Sequence, residues 1–400
     1  MIGYETALQM TLQYISPLDR EVLSLVDVTD RVVAEDLNGK VDSPSVDASL
    51  KDGYAIRAED ITDATPESPV RLNLRGVITA GMNSESVVEP GSAIRILTGA
   101  RMPKGANAVV SEEFTINCGT YIAVTRYAEL GRNILASGSD ISIGERVISV
   151  GTKLVPGKVG ILAAAGYDKI PVFKRPYVSI IATGDEVVAA GKPLPEGKLF
   201  ASNLMTLNAW CRRYGIKTEL DIVSDNADVI VEKLSFVIEA HDAILTSGGA
   251  WTGDRDFVVR VLERLGWQQI FHRIKIGPGK AVGFGLIQGK PIFILPGGPP
   301  SNFMAFLQIA LPGLMKLAGH KDPGLPRMIV KLSETVIGRQ IDWTQFIFGR
   351  FEEKENQTFF YPLKMLSRLQ SMAKADGIIN IPEGVDQILS GTFIPAQLLV

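Results

Sequence analysis

Three strings in this sequence join glycine to small hydroxyl or carboxylate side chains: Thr183-Gly184-Asp185-Glu186, Thr246-Ser247-Gly248-Gly249 and Pro296-Gly297-Gly298-Pro299-Pro300-Ser301. Glycine lets backbone N–H groups approach a ligand closely, and a helix starting just beyond adds partial positive charge suited to anions. One such string is an ordinary turn. Three of them, each directly after a short apolar run, point to a phosphate-bearing or oxoanion ligand. The neighbouring carboxylates Asp185, Glu186, Asp254 and Asp256 have no His or Cys company. Such a set suits a hard divalent cation such as Mg²⁺, although each one alone could simply complement a helix dipole. Arg255, Arg273, Lys275 and Lys280 could neutralise an anionic substrate or could be plain solvated surface. No string opens a helix as G-x-G-x-x-G or matches G-x-x-x-x-G-K-[ST], so a generic nicotinamide enzyme or P-loop kinase loses ground; Gly277-Pro278-Gly279-Lys280 is only superficially a phosphate loop.

The elements that must hold these strings follow a clear rhythm from Pro176 onward. Strand-like runs at 178–182, 219–223, 243–245 and 292–295 alternate with helix-like segments at 202–214, 227–240, 255–265 and 301–317. That alternation predicts βαβ units and a mostly parallel sheet covered on both faces, with ligands outside the carboxyl ends of its strands. Upstream, 4–37 contains a helical pattern and a second short one near 32–34. Short β-rich runs at 70–74, 93–97 and 121–124 fill 42–127, and an apolar helix-like segment lies at 159–165. Asp52-Gly53 reads as a turn by default. Past Gly324 the chain returns to short β runs (328–330, 346–348, 359–361), which predict a small terminal β domain.

The 400 residues exceed one ordinary domain, and with 46% hydrophobic and 21% charged residues they can build several cores. The formal net charge of −3 argues against a nucleic-acid binder relying on bulk positive charge. Cys118 and Cys211, 2 cysteines in all, make no disulfide scaffold, and the 3 histidines form no spaced metal-ligand pair. Neither a signal peptide nor a membrane span is visible, because the long uncharged run 291–315 is broken by Pro296-Gly297-Gly298-Pro299-Pro300. The expectation is a soluble, cytoplasmic, multidomain α/β protein.

Taken in order, Asp52-Gly53-Tyr54-Ala55, the string 96–110, Gly138-Ser139-Asp140-Ile141, Thr183-Gly184-Asp185-Glu186, Ser247-Gly248-Gly249 and Leu295-Pro296-Gly297 resemble the molybdopterin molybdenumtransferase family, the group that includes bacterial MoeA and the gephyrin E domain. Ser367-Arg368-Leu369-Gln370-Ser371-Met372 also resembles a string near the family's C-terminus. The resemblance spans nearly the whole chain. It implies a multidomain α/β fold in four units: a discontinuous N-terminal domain (1–41 and 130–174), an inserted β-rich domain (42–129), a three-layer α/β molybdopterin-binding domain with a parallel sheet (175–323), and a C-terminal β-barrel (324–400). It also implies a homodimer, a transfer complex with the molybdopterin adenylyltransferase, and insertion of molybdate into adenylylated molybdopterin with release of AMP, assisted by Mg²⁺ or another divalent cation.

By the same resemblance, Asp52, Thr98, Asp140, Glu186, Asp225 and Asp256 carry catalysis, with Glu186, Asp225 and Asp256 holding the metal. Asp52 and Thr98 would face the α/β domain of a partner subunit. Thr183, Gly184, Ser247, Gly248, Gly249, Arg273, Lys275, Lys280, Pro296, Gly297, Pro299 and Ser301 bind the substrate. The sequence departs from the family pattern at Gly277, where a basic residue is common, at Ala201, where Asp is common, and at Leu366-Ser367. Gly277 and Ala201 favour a catalytically reduced pterin-binding scaffold as the second reading. Other readings are a tungstate-preferring insertase and an adenylyltransferase; the extra domains bearing Asp52 and Thr98 speak against the last.

Overall fold

The computed structural model describes residues 1–82, 85–248, 257–354, 356–364 and 368–399. The α/β rhythm of the sequence becomes a six-stranded sheet in the order Lys217–Val223, Tyr177–Thr183, Ala243–Ser247, Lys290–Leu295, Gly283–Ile287, Gln268–His272. The first four strands run parallel, Gly283–Ile287 runs antiparallel to them, and Gln268–His272 pairs antiparallel with it and so runs in the direction of the first four. Along Tyr177–Thr183 the side chains alternate between faces, as a doubly covered strand requires. Val178, Ile180 and Ala182 enter one core with Leu204, Leu207 and Cys211 of the helix Ser202–Arg213. Ile181 enters the opposite core with Ile230, Leu234 and Val237 of the helix Ala227–Ala240. The result is three layers.

Connectivity matters for function here. From Tyr177–Thr183 the chain passes to Lys217–Val223 on one side, then crosses to Ala243–Ser247 on the other. At such a switch the loops leave the strand ends in opposite directions and open a crevice.

The region 301–317, expected as one helix, is helical from Pro299 to Leu317, with a π-helical turn over Phe306–Ala310 between Pro299–Ala305 and Leu311–Leu317. Gln308 in that turn is buried, accepts from the Tyr4 hydroxyl at 3.1 Å and donates to Gln397 Oε1 at 2.6 Å. That knot joins the long helix to the first helix, Tyr4–Tyr14, and to the last strand, Phe393–Leu398. Tyr4 and Ala7 lie in the core of the α/β unit, so the opening helix packs there rather than with the segment that follows it.

The N-terminal and returning segments are zipped by three ribbons: Arg20–Ser24 with Lys169–Phe173, Leu37–Asn38 with Arg146–Ile148, and Ala48–Ser49 with Ile134–Leu135. Val32 and Val33 form bridges to Lys153 and Val172, where the sequence pattern suggested a short helix. Between the ribbon ends lies a six-stranded sheet, ordered Ala108–Ser111, Gly53–Ile56, Ser92–Ile96, Val70–Ile78, Tyr121–Val124, Thr115–Asn117. Gly53 opens a strand of this sheet, contrary to its reading as a turn; a Cβ there would stand 2.1 Å from the Val110 carbonyl oxygen. The dipeptide marks close backbone packing instead of a reversal.

The terminal region forms a closed barrel: Thr344–Lys354 pairs with Gln357–Pro362 and Gly377–Ile381, and the ring completes through Arg327–Leu332 and Phe393–Leu398. Ile274–Gly277 and Ile2–Gly3 extend that sheet from the α/β side. The helix Arg368–Lys374 interrupts a tail that the sequence read as β throughout.

Candidate active site

The loops after three parallel strands converge at the switch point. Thr183, Gly184 and Ser247 are buried at the strand ends. Gly248 takes φ +106 and its N–H donates to the Leu295 carbonyl at 3.0 Å. A Cβ on Gly248 would sit 2.7 Å from the Thr183 carbonyl oxygen and 2.9 Å from Thr183 Oγ1, and a Cβ on Gly297 would be 3.9 Å from the Gly248 Cα. Three strings distant in sequence therefore meet backbone to backbone. Thr183 Oγ1 is buried and has no hydrogen-bond partner among the described residues, an uncompensated polar atom of the kind a ligand satisfies.

Two asparagines, which sequence reasoning passed over, lock this arrangement. Asn302, 1% exposed, donates from Nδ2 to Ser247 Oγ at 3.0 Å and to the Pro296 carbonyl at 2.9 Å. Asn203 donates to the Gly297 carbonyl at 2.8 Å and to Ser247 Oγ at 3.4 Å. Each directly follows a serine, Ser202 or Ser301, in the first turn of a helix, and that shared Ser-Asn placement was the available signal. Pro299 opens its helix with Gly298 as cap, the position where the missing proline N–H costs nothing.

The acidic side chains lie just outside the turns. The Glu186 carboxylate stands over Gly184, where a Cβ would meet its Oε2 at 2.6 Å. Asp225, on the loop after Lys217–Val223, donates its N–H to Asp185 Oδ1 at 3.1 Å, and Lys198 Nζ donates to the Asp185 carbonyl at 2.6 Å. Among the described residues no three His, Cys, Asp or Glu side chains gather closely enough to form a metal site by themselves. Gly249 and Asp256, with Asp254, Arg255, Leu366 and Ser367, lie outside the described residues.

The expected cations divide into different environments. Lys275 Nζ donates to Glu383 Oε1 at 3.1 Å and lies 3.7 Å from Asp342 Oδ2. The Glu383 hydrogen bond leads the causes that raise its pKa above the ordinary lysine value. Lys280 has no carboxylate partner among the described residues; its ammonium lies 5.1 Å from the ring centroid of Trp343. Arg273 adopts φ +66 and donates its N–H to the Val282 carbonyl at 2.9 Å, in the turn that precedes Ile274–Gly277. Next to that strand a cleft of about 860 Å³ opens between the Gly277-Pro278 turn and the barrel, bordered by Arg339, Trp343, Gln345 and Lys364. Trp343, Arg339 and Lys364 carried no motif in the sequence.

Asp52 and Thr98 come together on the inserted sheet. Asp52 Oδ1 accepts from both the N–H and the hydroxyl of Thr98, each at 2.7 Å. The Thr98 N–H, then its hydroxyl, hold the Asp52 carboxyl below its usual range. Both residues are exposed. Asp140 is exposed as well, in the segment whose N–H groups bond the Ser43 and Pro44 carbonyls, among the zipped ribbons.

Three family models match consecutive parts of the chain: the MoeA N-terminal region (domain I and II) over residues 2–166, a probable molybdopterin binding domain over 179–316, and the MoeA C-terminal region (domain IV) over 339–399. A Bacillus subtilis protein named molybdopterin molybdenumtransferase is 30% identical over 392 residues, covering 95% of this chain and 90% of its own length. A Haemophilus influenzae protein of the same name is 32% identical, covering 76% of this chain and 74% of its own. A crystal structure of the molybdopterin biosynthesis MoeA protein from Pyrococcus horikoshii OT3 superimposes with a TM-score of 0.83 at 29% identity, covering 100% of both chains. With relatives this similar along almost its entire length, and family models in the same order as its units, the chain belongs to the molybdopterin molybdenumtransferase family.

Proposed function

We propose that this chain acts in molybdenum cofactor biosynthesis as a transferase that inserts molybdate into adenylylated molybdopterin and releases AMP. The observation that carries the reading is the meeting of Thr183, Gly248 and Gly297 at the switch point of the sheet; Gly279, next to the Pro278 that borders the cleft, packs on the same loop, where a Cβ would stand 3.4 Å from the Ser301 carbonyl oxygen. Molybdate and the adenylate phosphates are all anions, so bringing them together requires N–H donors and cations that offset their repulsion. The glycine turns supply close backbone approach, Thr183 supplies a buried hydroxyl, and Lys280 supplies a charge that no carboxylate among the described residues neutralises. Two Mo–S bonds form as the dithiolene thiols displace one oxide of molybdate, which leaves as water with the two thiol protons. The phosphoanhydride that holds AMP breaks as a water oxygen adds at phosphorus, leaving a phosphate on the pterin and free AMP.

The acidic side chains near the turns are oxygen donors only, a set that fits a hard cation which keeps most of its ligands from water and substrate phosphate. Glu186 and Asp225, with Asp256, would hold Mg²⁺ or another divalent cation. Such an ion supplies charge neutralisation at the phosphates. Asp52 and Thr98, exposed and fixed to each other at the ends of two inner strands, are proposed to complete the site of a second subunit in a homodimer. Asp140 is assigned a supporting role at the ribbon junction. No helix of the described residues is long and apolar enough to cross a membrane, and a cytoplasmic setting, with delivery of substrate by the adenylyltransferase, belongs to the same proposal.

The test is AMP release from adenylylated molybdopterin, assayed with molybdate or tungstate, with and without Mg²⁺. AMP that appears only with oxoanion and metal together supports the reading, and the two oxoanions set the preference. Lys275, engaged by Glu383 and Asp342, does not stand free to replace a basic residue at Gly277, which favours the scaffold alternative. Tight ligand binding without AMP release would establish that alternative. Rapid adenylate formation from ATP and metal-free molybdopterin would instead make the protein an adenylyltransferase.

A further inference from the structure

We propose that Trp343 is a positioning residue for Lys280, holding its ammonium at the cleft by a cation–π contact so that its full charge meets a substrate oxoanion or phosphate. This rests on the functional reading above and adds a residue to it. The two lysines flanking the Gly277-Pro278 turn show why the contact matters. Lys275 is held by carboxylates, with Glu383 Oε1 at 3.1 Å and Asp342 Oδ2 at 3.7 Å. Its position is fixed, but its charge is balanced locally. Lys280 is held by an aromatic face, with Nζ 5.1 Å from the Trp343 ring centroid, and among the described residues it makes no salt bridge. An indole face orients an ammonium through its quadrupole and leaves the net charge at +1. An aromatic ring thus fixes a lysine without cancelling the charge that meets an incoming anion.

The placement agrees with that role. Trp343 borders the cleft of about 860 Å³ together with Gly277 and Pro278, the residues just before Gly279-Lys280. It stands immediately before the barrel strand Thr344–Lys354, whose Thr344 and Gln345 pair with Ile276 and Gly277. Lys280 lies in the turn that follows one of these paired strands and Trp343 directly precedes the other, and the Ile274 N–H fixes that turn by donating to the Lys280 carbonyl at 3.1 Å, so the strand pairing brings the two segments together.

Molybdate and the phosphate of AMP share the chemistry that Lys280 would recognise, and separate titrations tell them apart. Binding of molybdate alone and of AMP alone would be measured by calorimetry on the full chain and on W343L, W343F, K280Q and W343L/K280Q. For the anion that Lys280 meets, K280Q weakens binding about tenfold, W343L about fivefold and W343F by less than about twofold, because a phenyl face keeps part of the attraction. The double variant binds no worse than K280Q, since the indole acts only through the lysine. Urea unfolding midpoints stay together, which a structural role for Trp343 would not allow. Additive penalties in the double variant, or unchanged affinity for both anions in W343L, would overturn the assignment alone. A wild-type chain that binds neither anion would overturn the functional reading and this assignment with it.

Discussion

The loops of the α/β unit and the strand ends of the inserted sheet both carry expected site residues, but they are built in opposite ways. At the α/β switch point the binding surface is backbone, fixed by Gly248, which has no room for a side chain against the Thr183 backbone, and by two asparagines that hold the turns, one of them fully buried. On the inserted sheet the feature is a pair of exposed side chains, Asp52 and Thr98, clamped to each other. A surface made from packed backbone couples binding to stability, because the atoms that meet the ligand also close the core. An exposed side-chain pair can be altered without disturbing its sheet. Substitutions in the two regions should therefore separate into those that lose fold and binding together and those that lose only rate.

The largest effect is expected at Gly248. An alanine Cβ would stand 2.7 Å from the Thr183 carbonyl oxygen while the backbone is at φ +106, so the turn must move. Gly248→Ala should abolish measurable AMP binding and cost about 2–4 kcal/mol in urea unfolding, since strain and a backbone clash act together. A variant that binds normally would show that the three turns do not form one rigid surface. Asp52→Asn is the opposite case. Its Oδ1 can still accept from Thr98, so unfolding should match the wild type within about 0.5 kcal/mol, as for other exposed substitutions. Turnover should fall about a hundredfold, as when a preorganised polar group is lost from an active site. An unchanged rate would remove the inserted sheet from the chemistry.

Asn302→Ala probes the lock itself. It leaves Ser247 Oγ and the Pro296 carbonyl without their shared donor in a buried site, which should cost about 2 kcal/mol and weaken AMP binding in proportion. A loss of binding with no change in stability would mean that Asn302 touches ligand and does not clamp the loops.

The difference between the regions also explains what the sequence made readable. The alternating apolar runs and helical segments of 178–317 were legible because each strand is covered on both faces, and the glycine strings marked the strand ends where the crevice opens. The inserted sheet and the barrel were legible only as scattered short β runs, because their pairings join residues far apart, such as Gly53–Ile56 with Ala108–Ser111 or Thr344–Lys354 with Gly377–Ile381. Asp52-Gly53 carried the local signature of a turn, yet the glycine serves a close strand contact that only the partner strand explains. Asn203, Asn302 and Trp343 were missed for the same reason. Their roles depend on what tertiary structure places opposite them, and an isolated Asn or Trp carries no spacing to read.

Acid should distinguish the two regions by a smaller but separable effect. His320 follows the helix Leu311–Leu317, beside Lys321, whose N–H donates to the Gly151 carbonyl, and Gly319, which packs on the Phe173 ring. It thus sits where the α/β unit meets the zipped ribbons. Burial first, then the charge of Lys153, lowers its pKa from 6.5 to about 4. Between those values the unfolded chain takes up the proton and the folded chain does not, so this contribution to stability is complete above pH 6.5 and declines as pH falls toward about 4. By pH 5.5 the loss should be about 1 kcal/mol, read as a drop in the urea midpoint that His320→Gln flattens. The Asp52 carboxyl, held below its usual range by Thr98, stays ionised through the same window, so its clamp should survive while the junction weakens. A pH slope that persists in His320→Gln would place the acid-sensitive group elsewhere.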